Sequence, residues 1–194
     1  ALEYFEMAIE IDPDWAPPYV GLSMVWGVFG GFEIMPASAT LPNEYKYLNK
    51  AIELDPNTSN TQYAIALKAV WVEWDWEKGE RAFIKSLELN PSNALSRVYY
   101  AHLLMILNRF EEARYHADLA LETDPLSLVL GLYARVQETI GDPENILELA
   151  ENALEIDPEN RFAYGLLGDG YKYSSDSLKW FEIWKQGLWW TDEK

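Results

Sequence analysis

Apolar residues recur every three or four positions along most of this chain, the spacing that gathers side chains on one face of an α-helix. Five such segments close on the same phrase, an acidic residue or asparagine followed by proline. The five closing phrases are AIEIDP, AIELDP, SLELNP, ALETDP and ALEIDP. No segment reads convincingly as a strand, so the pattern predicts helices throughout.

The closing prolines return at a nearly constant interval. Proline lacks an N–H and disfavours the α conformation in the preceding residue, so each one ends a helix. The prolines are Pro13, Pro56, Pro91, Pro125 and Pro158, separated by 43, 35, 34 and 33 residues. This interval predicts helical hairpins. The expected helix pairs are 14–30 with 42–55, 57–74 with 76–90, 92–107 with 109–124, 126–140 with 143–157, and 159–173 with 175–190.

Small residues also recur, five positions before each of these prolines. They are Ala8, Ala51, Ser86, Ala120 and Ala153. Small side chains let two helices approach closely, so we expect these positions to lie where the helices of a hairpin meet.

The first helix of the last unit carries a second pattern. Tyr164, Leu167, Gly168 and Tyr171 follow Pro158 by six, nine, ten and thirteen residues. These spacings resemble the signature of the tetratricopeptide repeat. The resemblance implies an all-α fold, a right-handed α-α superhelix of about five hairpins. It also implies one solenoid domain over 1–194, made of the second helix of a cut repeat (1–13), repeats 14–56, 57–91, 92–125 and 126–158, and an atypical Trp-rich cap (159–194).

A closer resemblance adds a cellular context. The long first loop, the WDW at 74–76 and the LSL at 126–128 look like the C-terminal tetratricopeptide region of multidomain bacterial signalling proteins. In that group the region follows a winged-helix, nucleotide-cyclase or kinase module. The resemblance therefore implies a sensor or scaffold arm. Because the sequence begins inside an amphipathic helix without a methionine, we expect it to be a piece of a longer polypeptide.

Two segments depart from the repeat. The first interval holds nine extra residues around 30–42, where Gly30, Gly31, Pro36 and Pro42 predict a loop. It is either a tolerated surface insertion or a flap that packs Phe32, Ile34 and Met35 onto the groove or a neighbour. The second departure is the C-terminal end, with tryptophans at Trp180, Trp184, Trp189 and Trp190. Those tryptophans either pack on the stack itself or form a second interface, which would make the chain a homodimer.

Composition narrows the classes of partner. With 15 basic and 32 acidic residues the net charge is -17, which repels phosphate backbones and anionic lipid, so nucleic acid and membranes are not expected partners. The chain has no cysteine, hence no disulfide, and a cytoplasmic location is expected. The chain is rich in aromatic residues, with nine tryptophans, twelve tyrosines and seven phenylalanines; such side chains bury large areas in a core and are also favoured at binding surfaces.

Residues at catalytic spacing are missing from the sequence. The only histidines, His102 and His116, stand in one hairpin without metal-ligand spacing around them, and we expect His116 to be exposed or half-buried. There is no glycine-rich phosphate loop and no nucleophile elbow. The sequence predicts no enzyme, no cofactor and no metal.

The tetratricopeptide resemblance also assigns a groove to the first helices of the hairpins. The residues it assigns are Asn60, Tyr63, Leu67, Trp71, Leu95, Val98, Tyr99, His102, Phe162, Leu166, Asp169 and Tyr173. These side chains are mostly apolar or aromatic, and the lysines and asparagines of a carboxylate clamp are absent. We therefore expect a hydrophobic peptide or protein segment with basic flanks as the partner. A small-molecule or lipid sensor using the same cleft is left open.

Overall fold

The computed structural model of this protein describes residues 2–31, 33–125, 128–140, 144–173, 178–179 and 181–182. Within these ranges the chain forms ten α-helices and no strand. The helices are α1 (Leu2–Ile11), α2 (Ala16–Gly31), α3 (Ala37–Leu54), α4 (Ser59–Trp71), α5 (Trp76–Leu89), α6 (Ala94–Ile106), α7 (Phe110–Thr123), α8 (Leu128–Ile140), α9 (Glu144–Ile156) and α10 (Arg161–Tyr173).

The helices belong to two compact units, Ala1–Asn93 and Ala94–Lys194. In the first unit α2 pairs with α3 and α4 pairs with α5, while α2 also contacts α4. In the second unit α6 pairs with α7 and α9 with α10, while α8 contacts α6, α7 and α10. The prediction of a helical-hairpin repeat is confirmed. The prediction of one domain over 1–194 stays a prediction.

The junction before each closing proline has one construction in all five copies. The residue before the proline donates its backbone N–H to the carbonyl of the small residue four positions earlier, as Asp12 does to Ala8 at 3.0 Å. The other four pairs are Asp55 to Ala51 (2.9 Å), Asn90 to Ser86 (2.9 Å), Asp124 to Ala120 (3.0 Å) and Asp157 to Ala153 (2.9 Å). The helix therefore stops two residues before the proline each time, as the proline spacing predicts.

The aspartate or asparagine before the closing proline also stabilises the turn that follows the helix. Its side chain accepts a backbone hydrogen bond from the residue two positions on, for example Asn57 N to Asp55 Oδ1 at 2.9 Å. The same turn occurs at Asp12, Asn90 and Asp157. Such Asx turns reverse the chain locally. The next helix is capped by a separate residue: the Thr58 side chain accepts from Thr61 N at 3.1 Å.

The recurring small residues lie in the core, as expected. Ala51, Ser86, Ala120 and Ala153 are buried, and Ala8 is half-buried. Ala51 packs in one cluster with Tyr19 and Leu48, and Ala120 packs in another with Val98 and Val129. Small side chains at these positions allow the two helices of each hairpin to pack closely.

The expected loop over 30–42 is only partly a loop. Helix α3 begins at Ala37, five residues before the predicted start, and Pro42 lies inside it. The first turn forms because the Pro36 carbonyl accepts from Ala39 N at 2.9 Å and Thr40 N at 3.2 Å. Pro42 has no N–H to offer the Ser38 carbonyl, but it removes only that one bond, and the helix continues to Leu54. Pro42 therefore lies inside α3, and not at the end of the loop where the sequence placed it.

The predicted final helix over 175–190 lies almost wholly outside the described residues. Trp180, Trp184, Trp189 and Trp190 also lie outside them, as does Phe32 in the first insertion. Among the helices that are described, none combines the length and the apolar character needed to cross a bilayer.

Candidate partner-binding site

The first-unit candidates all lie on α4, but they differ in burial. Asn60 and Trp71 are exposed and Leu67 is half-buried, and all three share one helical face. Tyr63 is buried, with its ring 6.5 Å from the ring of Phe83. Tyr63 therefore belongs to the core. It is left out of the candidate surface, by which we mean those residues of the assigned groove that solvent reaches. Trp71 meets the same Phe83 edge-on at 6.3 Å, which fixes its ring while leaving part of it in solvent.

A polar network anchors the beginning of α4. Asn93 Nδ2 donates to Ser59 Oγ at 2.9 Å and to Asn60 Oδ1 at 3.2 Å. Ser86 Oγ in turn donates to the Ser59 carbonyl at 2.8 Å. The Asn60 amide is thus held in one orientation at the exposed edge of the helix. The exposed amide of Asn60 therefore lies on the same helical face as Leu67 and Trp71.

The second-unit candidates on α6 form one stripe. Leu95, Tyr99 and His102 are half-buried, and Ile106 one turn further on is exposed. Their spacing of four, three and four residues puts them on a single helical face. Val98 points elsewhere: it is fully buried in a cluster with Ala94, Ala120 and Val129. Val98 is therefore also left out of the candidate surface.

His102 carries no charge on this stripe at neutral pH. Its Nε2 lies 2.9 Å from the Leu132 carbonyl oxygen, and a carbonyl only accepts, so Nε2 bears the proton. Burial lowers the pKa of His102, an effect that the Leu132 carbonyl opposes and the nearby Arg135 guanidinium reinforces. The neighbouring Tyr99, whose ring lies 6.0 Å away, has its pKa raised by burial. The stripe is therefore neutral and aromatic.

The α10 candidates are divided in the same way. Phe162 is exposed, and its ring lies over Gly131 of α8. A Cβ added at Gly131 would lie 3.3 Å from the Phe162 ring. Leu166 is buried in the cluster that α8, α9 and α10 share, so it leaves the candidate surface. The side chains of Asp169 and Tyr173 lie outside the description. Phe162 is the α10 residue on which the candidate surface depends.

His116 is half-buried, within the range that the sequence predicted. Its ring meets Tyr100 edge-on at 4.7 Å and Tyr115 at 5.3 Å. Arg97 Nη1 lies 3.4 Å from Nδ1, and because arginine only donates, Nδ1 is the unprotonated nitrogen. Burial, followed by the Arg97 charge, lowers the pKa of His116 to about 4. His116 is a neutral packing residue.

Sequence reasoning missed a buried polar cluster in the first unit. Lys68 on α4 is 4% exposed, with its ammonium against the face of the Tyr45 ring, and Glu44 and Thr40 on α3 are buried as well. Burial lowers the pKa of Lys68 to about 8, against the attraction of Glu44 and Glu73. Burial also raises the pKa of Glu44. The available signal was a single lysine inside the apolar run AIALKAVW.

Metal ligands do not gather in the described parts of the chain. Within those ranges no group of three or more His, Asp or Glu side chains is arranged to hold an ion.

Comparison with solved structures identifies the fold. PilF of Pseudomonas aeruginosa is 20% identical over 89% of this chain and 76% of its own, with a TM-score of 0.65. TTC0263, a thermophilic TPR protein of Thermus thermophilus, is 17% identical over 86% of this chain and 89% of its own, with a TM-score of 0.62. YrrB, a TPR protein with an unusual peptide-binding site, is 20% identical over 97% of this chain and 92% of its own, with a TM-score of 0.52. No protein-family model matches the chain.

Similarity at this level of identity establishes the fold and nothing finer. The chain has the all-α fold of tetratricopeptide-repeat proteins, built from helical hairpins.

Proposed function

We propose that this chain is a non-enzymatic protein-interaction scaffold, the sensor arm of a larger signalling protein, that binds a hydrophobic partner segment along the first helices of its hairpins. The observation that carries the proposal is the neutral stripe of Leu95, Tyr99, His102 and Ile106 on α6. A row of apolar side chains along a helix is a common way to bind an apolar peptide segment. That YrrB has a peptide-binding site on the same fold is in keeping with this role.

Charge defines the flanks of the proposed partner. The chain as a whole has a net charge of -17 while the stripe itself is uncharged, so basic residues on either side of an apolar core would be attracted to the chain during the encounter. The same charge disfavours nucleic acid and anionic membrane surfaces. We therefore propose a partner segment with an apolar centre and Lys or Arg at its ends.

Selection from a random peptide library on the immobilised chain tests this proposal. The selected peptides are expected to share an apolar core with basic flanks, and their binding is expected to weaken as salt rises. Ile106→Asp should reduce binding by about tenfold or more, since it puts a charge among the apolar anchors. The matched control is Ile84→Asp on the second helix α5, because Ile84 is 42% exposed and Ile106 is 44% exposed. Equal losses from the two variants, or no enrichment of apolar cores, would reject the stripe as the site.

Self-association is the second candidate function, through the 30–42 segment and the Trp-rich end. One observation favours it: Ile34 and Val28 are exposed apolar side chains at or beside this segment. Sedimentation equilibrium over a wide concentration range tests it. A dimer that Ile34→Asp converts to a monomer would support self-association, whereas a strict monomer at high concentration would reject it.

A further inference from the structure

The turn between α4 and α5 exposes a tryptophan to solvent, and the backbone of that tryptophan has an unfavourable conformation. Trp74 has a φ of 57°, in the left-handed region, and its side chain is 73% exposed. Bulky side chains rarely adopt this backbone conformation. An indole that is mostly in solvent gains little packing in return. Requirements of the fold alone do not account for tryptophan at this position.

The corresponding turn between α6 and α7 has an ordinary residue in the same role. There the left-handed position is Asn108, with a φ of 59°. Arg109 N closes this turn on the Leu104 carbonyl, five residues back, at 2.8 Å, whereas Asp75 N closes the first-unit turn on the Ala69 carbonyl, six residues back, at 2.8 Å. Asparagine is enriched in left-handed conformations. The α6–α7 turn is one residue shorter than the α4–α5 turn, but its left-handed position holds a residue type suited to that conformation, as tryptophan is not.

The backbone around Trp74 is fixed on both sides. Val72 N and Glu73 N both donate to the Lys68 carbonyl at 3.0 Å, which ends α4. On the other side Asp75 caps α5, accepting from Lys78 N at 3.0 Å. The indole is thus presented from a rigid turn, and a ligand would not have to order the loop to use it.

Two further tryptophans and three carboxylates share this segment. Trp71 and Trp76 are each 39% exposed, and Glu73, Asp75 and Glu77 alternate with the tryptophans over residues 71–77. Glu73 pairs with Lys78 at 2.7 Å and Asp75 is engaged as the cap. The Glu77 side chain is 92% exposed, and its pair with Arg81 is long, at 3.7 Å. Glu77 is therefore accessible to a second cation.

We propose that the α4–α5 turn is a docking surface for an arginine side chain of a partner protein, which stacks on Trp74 and pairs with Glu77. Tryptophan is the best aromatic partner for a cation, and guanidinium can stack on a ring while its N–H groups reach a carboxylate. The surface is distinct from the stripe on α6, so a partner could bind either surface without the other.

A peptide titration followed by nuclear magnetic resonance tests the proposal on the whole chain. The probe is the capped peptide Ser-Gly-Arg-Leu-Gly-Ser, compared with the same peptide containing citrulline, which keeps the shape of arginine and loses its charge. The indole N–H signal of Trp74, assigned by its loss in Trp74→Asn, is expected to move saturably with the arginine peptide. The citrulline peptide should bind about threefold to fivefold more weakly.

Variants separate the docking surface from exposed indoles in general. Trp74→Asn gives the left-handed position a residue type that adopts this conformation readily, as Asn108 does, and is expected to keep the fold, so any loss of binding, read from the Trp76 indole, reports the missing ring. Glu77→Gln should weaken arginine binding by about twofold to fivefold. The control Trp15→Asn changes an exposed tryptophan that also has aspartates nearby, at 12 and 14, and should leave binding unchanged.

Four results would overturn the proposal: equal binding of the arginine and citrulline peptides, no binding of either, unchanged binding by Trp74→Asn, or an equal loss in Trp15→Asn. A dimer in sedimentation experiments that Trp74→Asn abolishes would also overturn it, because the occupant would then be a second copy of the chain.

Discussion

Gly79 on α5 packs so closely against Val70 on α4 that a Cβ at position 79 would overlap the Val70 Cγ2 methyl group. Val70 is almost completely buried, so it has little room to move away. Contact between the two helices of this hairpin therefore leaves no room for a side chain at position 79.

Replacing Gly79 with alanine is expected to destabilise the chain by about 1–3 kcal/mol, because overpacking outweighs the better helix propensity of alanine. Urea unfolding measures the change. Gly27→Ala is the matched control in the same unit, since a Cβ there would meet Glu44 at an ordinary 3.6 Å. The control should be neutral or slightly stabilising. If Gly79→Ala proved equally harmless, the close contact would not constrain the hairpin.

Lys68 predicts a pH dependence of stability above neutrality. Its folded pKa of about 8 lies below the ordinary 10.5, so between these values the unfolded chain binds more protons than the folded chain. The free energy of unfolding should therefore rise as the pH increases through this window, by up to about 3 kcal/mol. Urea unfolding between about pH 7 and pH 9.5 covers most of the rise, below the range where most tyrosines ionise.

Lys68→Met should remove that rise, whereas Lys85→Met should retain it, because the Lys85 side chain is 47% exposed in a surface pair with Glu88. A profile that is as steep in Lys68→Met as in the original chain would assign the pH dependence to other groups.

His116 predicts an effect at acidic pH. Its folded pKa of about 4 lies below the ordinary 6.5, so folding excludes a proton that the unfolded chain would bind. The stability that the neutral ring contributes is complete above about pH 6.5 and is lost as the pH falls toward 4. Proton resonances of the ring, followed against pH, report the titration directly. A midpoint near 6.5 would contradict the burial of this ring between Arg97, Tyr100 and Tyr115.

Tyr133 links two helices of the second unit through its hydroxyl group, which donates to Asp118 Oδ1 at 3.0 Å. Burial, reinforced by the Asp118 charge, raises the pKa of Tyr133. Tyr133→Phe should cost about 1 kcal/mol in urea unfolding, because the ring still fills its site while the hydrogen bond is lost. Tyr115→Phe is the control, since Tyr115 is exposed. Equal stability of both variants would mean that the bond between α7 and α8 contributes nothing.

The sequence predicted the hairpins because their boundaries depend on local chemistry. The proline at 56 and the aspartate before it act within a few residues, so their effect can be read without knowledge of the fold. Pro42 shows the limit of the same rule. Its effect on α3 depends on how far into the helix it falls, and spacing alone does not reveal this.

The candidate surface was harder to predict than the fold. Tyr63 and Val98 are buried while Leu67 and Tyr99 are half-buried, although all four stand at positions that the repeat resemblance assigns to a groove. Burial at such positions depends on which side chains the adjacent helices supply, such as Phe83 opposite Tyr63. Lys68 was missed for the same reason, because its partners Glu44 and Tyr45 come from another helix.

The Asx–proline junctions have a mechanical consequence. Each is closed by hydrogen bonds that span at most four residues, such as Asp55 N to the Ala51 carbonyl and Asn57 N to Asp55 Oδ1. Such a joint reforms as soon as its own short stretch of chain is relaxed, without help from distant residues. When a stretched chain is released, these junctions should therefore regain their folded geometry first, before neighbouring hairpins pack against one another again.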